Sequence, residues 1–386
     1  MITTLSQATQ RTRIAVIDVM RGLVMLIMLL DHVREAVFMH HPVTDPLDAA
    51  SVEPGLFFTR TAAHFCAPLF VFLTGLSAWL YAHPAAGPRS ATAFLLKRGL
   101  LLVGLELVLV NFAWYGKFPP ATVFLQVIWV IGLAMIALAL LHRLPLKVLA
   151  VIGVAIVAGQ HLLNALQAPE GSVAAYALTV LLQRGYLVAD GAMKIKVSYP
   201  LLPWIGVIVL GYVAGPLYAR SVAPLARRLK LLMLGCCCLA LLAVLRGFNL
   251  YGETLPWVAG DTAMQTVMSM LSFTKYPPSL DFLLFTLGFG MLGLAWLETL
   301  DNWFIRACAT FGGAPMFFYL LHLYLLLALS KALVALLGAN HGERYGVEHL
   351  WQVWLIALVL MPVLYFPCRA FARYKRRSTQ AWVRYF

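Results

Sequence analysis

Long apolar runs dominate this chain and leave it few folds. About ten stretches are long and apolar enough to cross a bilayer, which takes about 20 mostly apolar residues. They lie at 14–31, 64–82, 97–114, 123–141, 146–164, 199–218, 229–245, 280–298, 313–335 and 350–368. Of the 386 residues 62% are hydrophobic and only 12% are charged, against about 25% charged in an ordinary soluble domain. The expected fold is all-α, a polytopic bundle of transmembrane helices. Segment 174–188 is apolar but short and carries Gln183 and Arg184. It reads as a re-entrant or interfacial piece.

The net charge of +13 does not point to nucleic acid once the cations are placed on loops. Arg11 and Arg13; Arg89, Lys97 and Arg98; Arg143 and Lys147; Arg220, Arg227, Arg228 and Lys230; Arg306; and the basic run from Arg369 to Arg384 fall on alternate segments. The intervening loops hold most of the acids, among them Glu35, Asp45, Asp48, Glu53, Glu170, Asp190, Glu253 and Asp261. By the positive-inside rule both termini face the cytoplasm. No Gly- or Ser-rich linker interrupts the spans, so residues 1–386 read as one membrane domain. The first apolar run is too long for a secretory signal and has no cleavage site. The six cysteines lack metal-ligand spacing and imply no disulfide framework. The long outer loops 33–62, 165–198 and 247–279 are the natural place for an outward-facing site.

The first run carries unusual chemistry. It contains Asp18-x-x-Arg21-Gly22 and is followed by His32. Ionisable groups inside a membrane are costly, and they tend to face a polar pathway and carry function. Fourteen residues at 100° each rotate by about 1400°, close to a whole number of turns. Asp18, Arg21 and His32 therefore share one face, with roughly 21 Å of rise between Asp18 and His32. Topology puts Asp18 and Arg21 in the cytoplasmic half and His32 at the outer end.

Other polar groups each have two readings. His64 is either an interfacial histidine bonded to backbone or a neighbour of His32 across the first hairpin. His322, mid-span among aliphatic residues, needs a partner because a buried unpaired polar group costs kilocalories. Glu106 is expected to pair with Arg98 or another basic residue. Lys275, stiffened by Pro277 and Pro278, is either a snorkelling anchor or a cation over the site. Tyr199–Trp204 is a stiff aromatic lead-in to its span, with anchoring as the default. Phosphate-loop, HExxH and GxSxG motifs are absent, and no metal is expected.

These residues in this order resemble a known family. Asp18-x-x-Arg21-Gly22 with a histidine fourteen after the Asp is similar to the first span of the membrane acyltransferase-3 family. Phe70–Gly75 (FVFLTG) resembles that family's FFVLSG. The fuller set is Leu30–His32 (LDH), His64–Pro68 (HFCAP), Tyr199–Trp204 (YPLLPW), Lys275–Leu280 (KYPPSL) and Tyr319–His322 (YLLH). It resembles bacterial membrane proteins related to the heparan-alpha-glucosaminide N-acetyltransferase catalytic domain.

The resemblance implies transfer of an acyl group, most simply acetyl from acetyl-CoA as co-substrate, to a carbohydrate acceptor at the outer face. The acyltransferase-3 catalytic histidine carries over onto His32. The sugar N-acetyltransferase has Asn there, and its proposed histidine falls near His40 and His41, which stay open as alternatives. Thioester acyl transfer needs a base for the acceptor's proton and donors for the oxyanion. The expected catalytic group is His32 with Asp31, or Glu35 one turn on, orienting the ring, and His322. Asp18, Arg21, Lys275, His64 and Arg98 are expected to bind the phosphate-bearing co-substrate, with Lys97 a further cation. The expected partners are acyl-CoA, the acceptor and membrane lipid, not nucleic acid; a homodimer stays open. The implied location is a bacterial inner membrane. The alternative is a proton-coupled transporter or flippase, for which the same buried charges would be a relay.

Overall fold

The computed structural model describes the backbone from Ile2 to Phe386 and the side chains from Val16 onward, apart from Ala381 and Arg384. Arg11, Arg13 and Arg384 of the basic set therefore lie outside the described side chains. The chain is mostly helical. In order come α1 (Ile2–Val37), α2 (Pro54–Ala62), α3 (Cys66–Ala82), α4 (Thr92–Leu105), α5 (Asn111–Tyr115), α6 (Val127–Leu141), α7 (Leu146–Gly159) and α8 (Val173–Leu181). There follow α9 (Leu201–Ala214), α10 (Pro224–Gly247), α11 (Ala263–Leu271), α12 (Leu280–Leu297), α13 (Trp303–Gly312), α14 (Pro315–Leu337) and α15 (Leu350–Arg377).

Seven helices among the described residues are long and apolar enough to cross a membrane: Pro54–Ala82, Leu146–Leu163, Leu201–Tyr218, Pro224–Gly247, Leu280–Leu297, Pro315–Leu337 and Leu350–Arg377. The other three expected spans differ for visible reasons. α1 carries Asp18, Arg21, Asp31, Arg34 and Glu35, too many ionisable groups for a plain apolar span. The run at 97–114 is interrupted, because α4 stops at Leu105 and a π-helical turn, Glu106–Val110, leads into α5. The run at 123–141 opens as a strand, and α6 itself has 15 residues.

That strand is a departure from the all-α expectation. β1 (Thr122–Leu125), β2 (Gly185–Val188) and β3 (Lys194–Val197) form a small sheet in the order β1-β3-β2. β1 runs parallel to β3, with Thr122 opposite Lys194, and β2 runs antiparallel to β3. The 174–188 piece is thus α8 followed by β2.

Glu106 explains how the interruption holds. It does not pair with Arg98, which lies eight residues back, or about 12 Å along the helix. Its Oε2 accepts from the backbone N–H groups of Ile128 (3.1 Å) and Trp129 (3.2 Å). These are donors of the first turn of α6, which have no partner inside the helix and favour an acceptor of negative charge. Asn111 adds a second tie, donating to Phe124 O (3.1 Å) and accepting from Phe124 N (2.8 Å).

α1 lies at the centre, packed on α3, α12, α13, α14 and α15. Its crossing with α13 depends on two glycines. A Cβ on Gly22 would collide with the Cys308 carbonyl, and one on Gly312 with the Asp18 carbonyl. Small residues permit this backbone approach between membrane helices. The glycine of the Asp-x-x-Arg-Gly motif is thus a packing residue, fixed next to the two charged ones.

Candidate active site

A cavity of about 740 Å³ follows the polar face of α1 from Asp18 and Arg21 past His32 to Asp31 and Glu35, and on to Asp45 and Lys275 in the loops beyond. The 3.6-residue period that puts Asp18, Arg21 and His32 on one stripe also makes that stripe the wall of the cavity.

At the Asp18 end, Arg21 is held by three groups. Its Nη1 lies 3.1 Å from Asp18 Oδ1, and its Nη2 donates to Leu73 O (3.2 Å) and to Ser77 Oγ. Arg98 from α4 and Lys375 from α15 line the same end. Lys375 Nζ donates to Gly313 O at 3.2 Å. Arg98 Nε has no partner among the described residues, and its guanidinium sits over the Phe94 ring, 5.9 Å from the centroid. Among the described residues three cations thus line this end, and the Asp18 carboxylate there pairs with Arg21. Lys97 is exposed and does not line the cavity.

Midway, His32 Nδ1 lies 2.7 Å from His322 Nε2, and His322 Nδ1 lies 2.9 Å from Phe318 O. These contacts assign the protons. A carbonyl oxygen only accepts, so His322 carries its hydrogen on Nδ1 and accepts through Nε2. His32 must then donate from Nδ1, which leaves Nε2 as its lone-pair nitrogen in the neutral ring. No bond from a described residue occupies that nitrogen, and His32 lines the cavity. The edge of the ring is braced by Trp114 and Tyr319, with centroids at 5.1 and 6.2 Å.

At the other end lies an ion network. Asp31 Oδ1 accepts from Arg34 Nε (3.0 Å), and Asp31 Oδ2 pairs with Arg60 Nη1. Glu35 Oε1 is 3.2 Å from Arg34 Nη2 and 3.8 Å from Arg60 Nη1. Asp45 accepts from the backbone N–H groups of Lys275 (3.1 Å) and Tyr276 (3.0 Å). Burial raises the Asp45 carboxyl above its ordinary value, against the pull of the Lys275 N–H and ammonium.

Several expectations need correction. Asp31 does not orient His32: its oxygens are taken by two arginines, and adjacent helix positions point about 100° apart. His322 meets the ring instead. His64 is buried but does not line the cavity; it packs against Phe282 at 5.2 Å, with Nδ1 unpartnered. It lies in a 3-10 turn, Ala63–Phe65, where residues three apart share a face. Ala63 and Cys66 consequently face the cavity and His64 does not. Lys275, grouped with Arg21 and Arg98 as a co-substrate ligand, lies at the opposite end. His40 and His41 stay outside the cavity, where His40 stacks on His341 (3.8 Å, 7°) and His41 on Phe38 (4.4 Å). Burial and the two neighbouring imidazoles lower the His40 basicity.

Arg34, Arg60 and Lys375 also line the cavity, and no local sequence pattern marks them. Arg60 stands four residues before His64, on the same helical surface as Ala63 and Cys66 rather than in open loop. Lys375 looked like one of many loop cations.

The model of the family described as "Heparan-alpha-glucosaminide N-acetyltransferase, catalytic" matches residues 13–239. This chain belongs to that family. The matched stretch contains Asp18, Arg21, Asp31, His32, His64 and Arg98, whereas Lys275, His322 and Lys375 come from beyond it. No curated protein matches the chain. Membership in the heparan-alpha-glucosaminide N-acetyltransferase catalytic family, with the seven apolar helices, identifies a multi-pass membrane protein of acetyltransferase type.

Proposed function

We propose that this protein takes an acetyl group from acyl-CoA held at the Asp18 end of the cavity and passes it to a carbohydrate acceptor that enters from the Lys275 end. In this reading about ten segments cross a bacterial inner membrane, both termini are cytoplasmic, and the acceptor end faces outward. The observation that carries it is one continuous cavity with a cation-rich end, a histidine midway and a second polar end.

The residues suit the co-substrate. Arg21, Arg98 and Lys375 supply positive charge for phosphates, and Arg98 Nε is an unsatisfied donor. The roughly 21 Å between Asp18 and His32 suits a long flexible arm carrying a thioester. His32 Nε2 takes the proton from the acceptor N–H or O–H as that atom attacks the thioester carbonyl. The tetrahedral intermediate collapses, the C–S bond breaks, and the His32 imidazolium returns the proton to the leaving thiolate. His322 is a positioning residue: its Nε2 fixes the tautomer of His32 and stabilises the imidazolium while it exists. The transporter alternative is not favoured by the family assignment.

Thermal stabilisation of the purified protein by acetyl-CoA tests the binding half. Stabilisation is expected, and Arg21→Ala should weaken it by about tenfold or more in half-saturating concentration, as for loss of a charged hydrogen bond. Equal stabilisation of both forms removes Arg21 from the phosphate site.

A further inference from the structure

The outward face of α15 changes character along its length. At 100° per residue Leu355, Val359, Phe366, Arg369, Arg373 and Arg377 all point within about 40° of one direction, and all six are exposed. The stripe is apolar as far as Phe366 and cationic from Arg369 on. The other side of the helix, with Ala357, Leu364 and Cys368, is buried against the protein.

Position along the axis explains the change. The helix has 28 residues, about 42 Å of rise, against a hydrocarbon layer of about 30 Å. Trp351 and Trp354, both exposed, mark one boundary, as aromatic residues do at membrane interfaces. Arg369 lies about 27 Å beyond Trp351 and so stands at the other boundary. Trp382, exposed past the end of the helix, is an interfacial aromatic on that side.

The cations there have no counter-charge in the protein. Residues 350–386 contain no aspartate or glutamate. None of the three arginines pairs with a carboxylate among the described residues. The helix dipole accounts for Arg377, in the last turn, but not for Arg369 and Arg373, because its effect is confined to that turn. Snorkelling takes a long side chain to water, but two guanidinium groups one turn apart, directly above an apolar stripe, match a ligand that joins a phosphate to alkyl chains. A planar guanidinium binds phosphate through two parallel N–H bonds, and Val359 and Phe366 offer the track for an acyl chain.

We infer that this face of α15 binds an anionic glycerophospholipid, with its phosphate on Arg369 and Arg373 and an acyl chain along Phe366 and Val359. The site is separate from the central cavity: Lys375, which lines that cavity, points about 160° away from Arg373. The inference draws nothing from the acetyl-transfer reading.

The test uses the purified full chain in a neutral detergent and reads thermal stabilisation by phosphatidylglycerol, by phosphatidylcholine with the same acyl chains, and by inorganic phosphate. Phosphatidylglycerol is expected to half-saturate at about tenfold or more lower concentration than phosphatidylcholine, the size of one charge-assisted contact, and the advantage should shrink with added salt. It should vanish in the double variant Arg369→Gln, Arg373→Gln. It should persist in Arg143→Gln, Lys147→Gln, which removes the same charge from the turn between α6 and α7. Equal half-saturation by the two lipids, an advantage that survives loss of both arginines, or equal loss in the two double variants would overturn the inference, the last by showing diffuse charge attraction only. Stabilisation by inorganic phosphate as large as by phosphatidylglycerol would also overturn it, by making the ligand a free ion. If the first double variant does not fold, each single variant is expected to lose part of the advantage, and full retention in both would overturn the inference.

Discussion

Replacing His322 by Phe tests the tautomer argument. Phe keeps a ring in the buried slot beside Phe318, where the centroids of residues 318 and 322 are 5.1 Å apart, but it cannot accept a hydrogen bond. His32 Nδ1 would lose the acceptor now 2.7 Å away. That bond is neutral in the resting pair and becomes charge-assisted once His32 holds the acceptor's proton, so its loss falls mainly on the transition state. A hydrogen bond to a charged group contributes about 1.5–3 kcal/mol, and each 1.36 kcal/mol is tenfold in rate, so kcat should fall about 10–150-fold. Half-saturation by acetyl-CoA should hardly change, because His322 lies away from the cation-rich end. The assay is the initial rate of CoA thiol release alongside acetyl-CoA thermal stabilisation. A rate within about threefold of wild type, or a loss of acetyl-CoA stabilisation as large as the loss of rate, would refute the positioning role.

Two further outcomes follow from the packing around α1. Gly22→Val should lower the thermal midpoint or abolish expression, because its first added carbon meets the Cys308 backbone; overpacking costs about 1–3 kcal/mol and more where backbone must move. A variant as stable as wild type would mean that α1 and α13 can separate freely. Arg60→Ala leaves Asp31 with one arginine instead of two, so the stability loss should sit near the lower end of the roughly 3–5 kcal/mol for breaking a buried pair. A denaturation midpoint unchanged from wild type would show that Arg34 suffices.

The parts of this site legible in the sequence are those that helix periodicity alone determines. Asp18, Arg21 and His32 share a stripe whatever the rest of the chain does, and all three line the cavity. Contacts between distant segments were not legible. His32 and His322 are separated by 290 residues, and no local pattern states that their rings meet. Asp31 adjoins His32 in sequence but not in direction, since neighbouring helix positions point about 100° apart. His64 falls outside the site because it sits within a one-turn 3-10 segment, where Ala63 and Cys66, three apart, share the face toward the cavity. Glu106 looked like half of an ion pair, whereas the start of α6, bent to it through β1, offers backbone donors. The small sheet was hidden for a related reason: four-residue strands next to long apolar helices carry too few alternations to register as a period of two.

The central claim is acetyl transfer through His32 within the cavity. Its most direct measurement supplies acetyl-labelled acetyl-CoA and a mixture of neutral and anionic amino sugars to the purified protein, and follows the label into sugar by mass spectrometry. Wild type should acetylate at least one sugar. His32→Ala should lose about 10²–10⁴-fold of that rate while acetyl-CoA still stabilises it. Transfer by His32→Ala within about threefold of wild type, or no label in any sugar despite acetyl-CoA binding, would contradict the account.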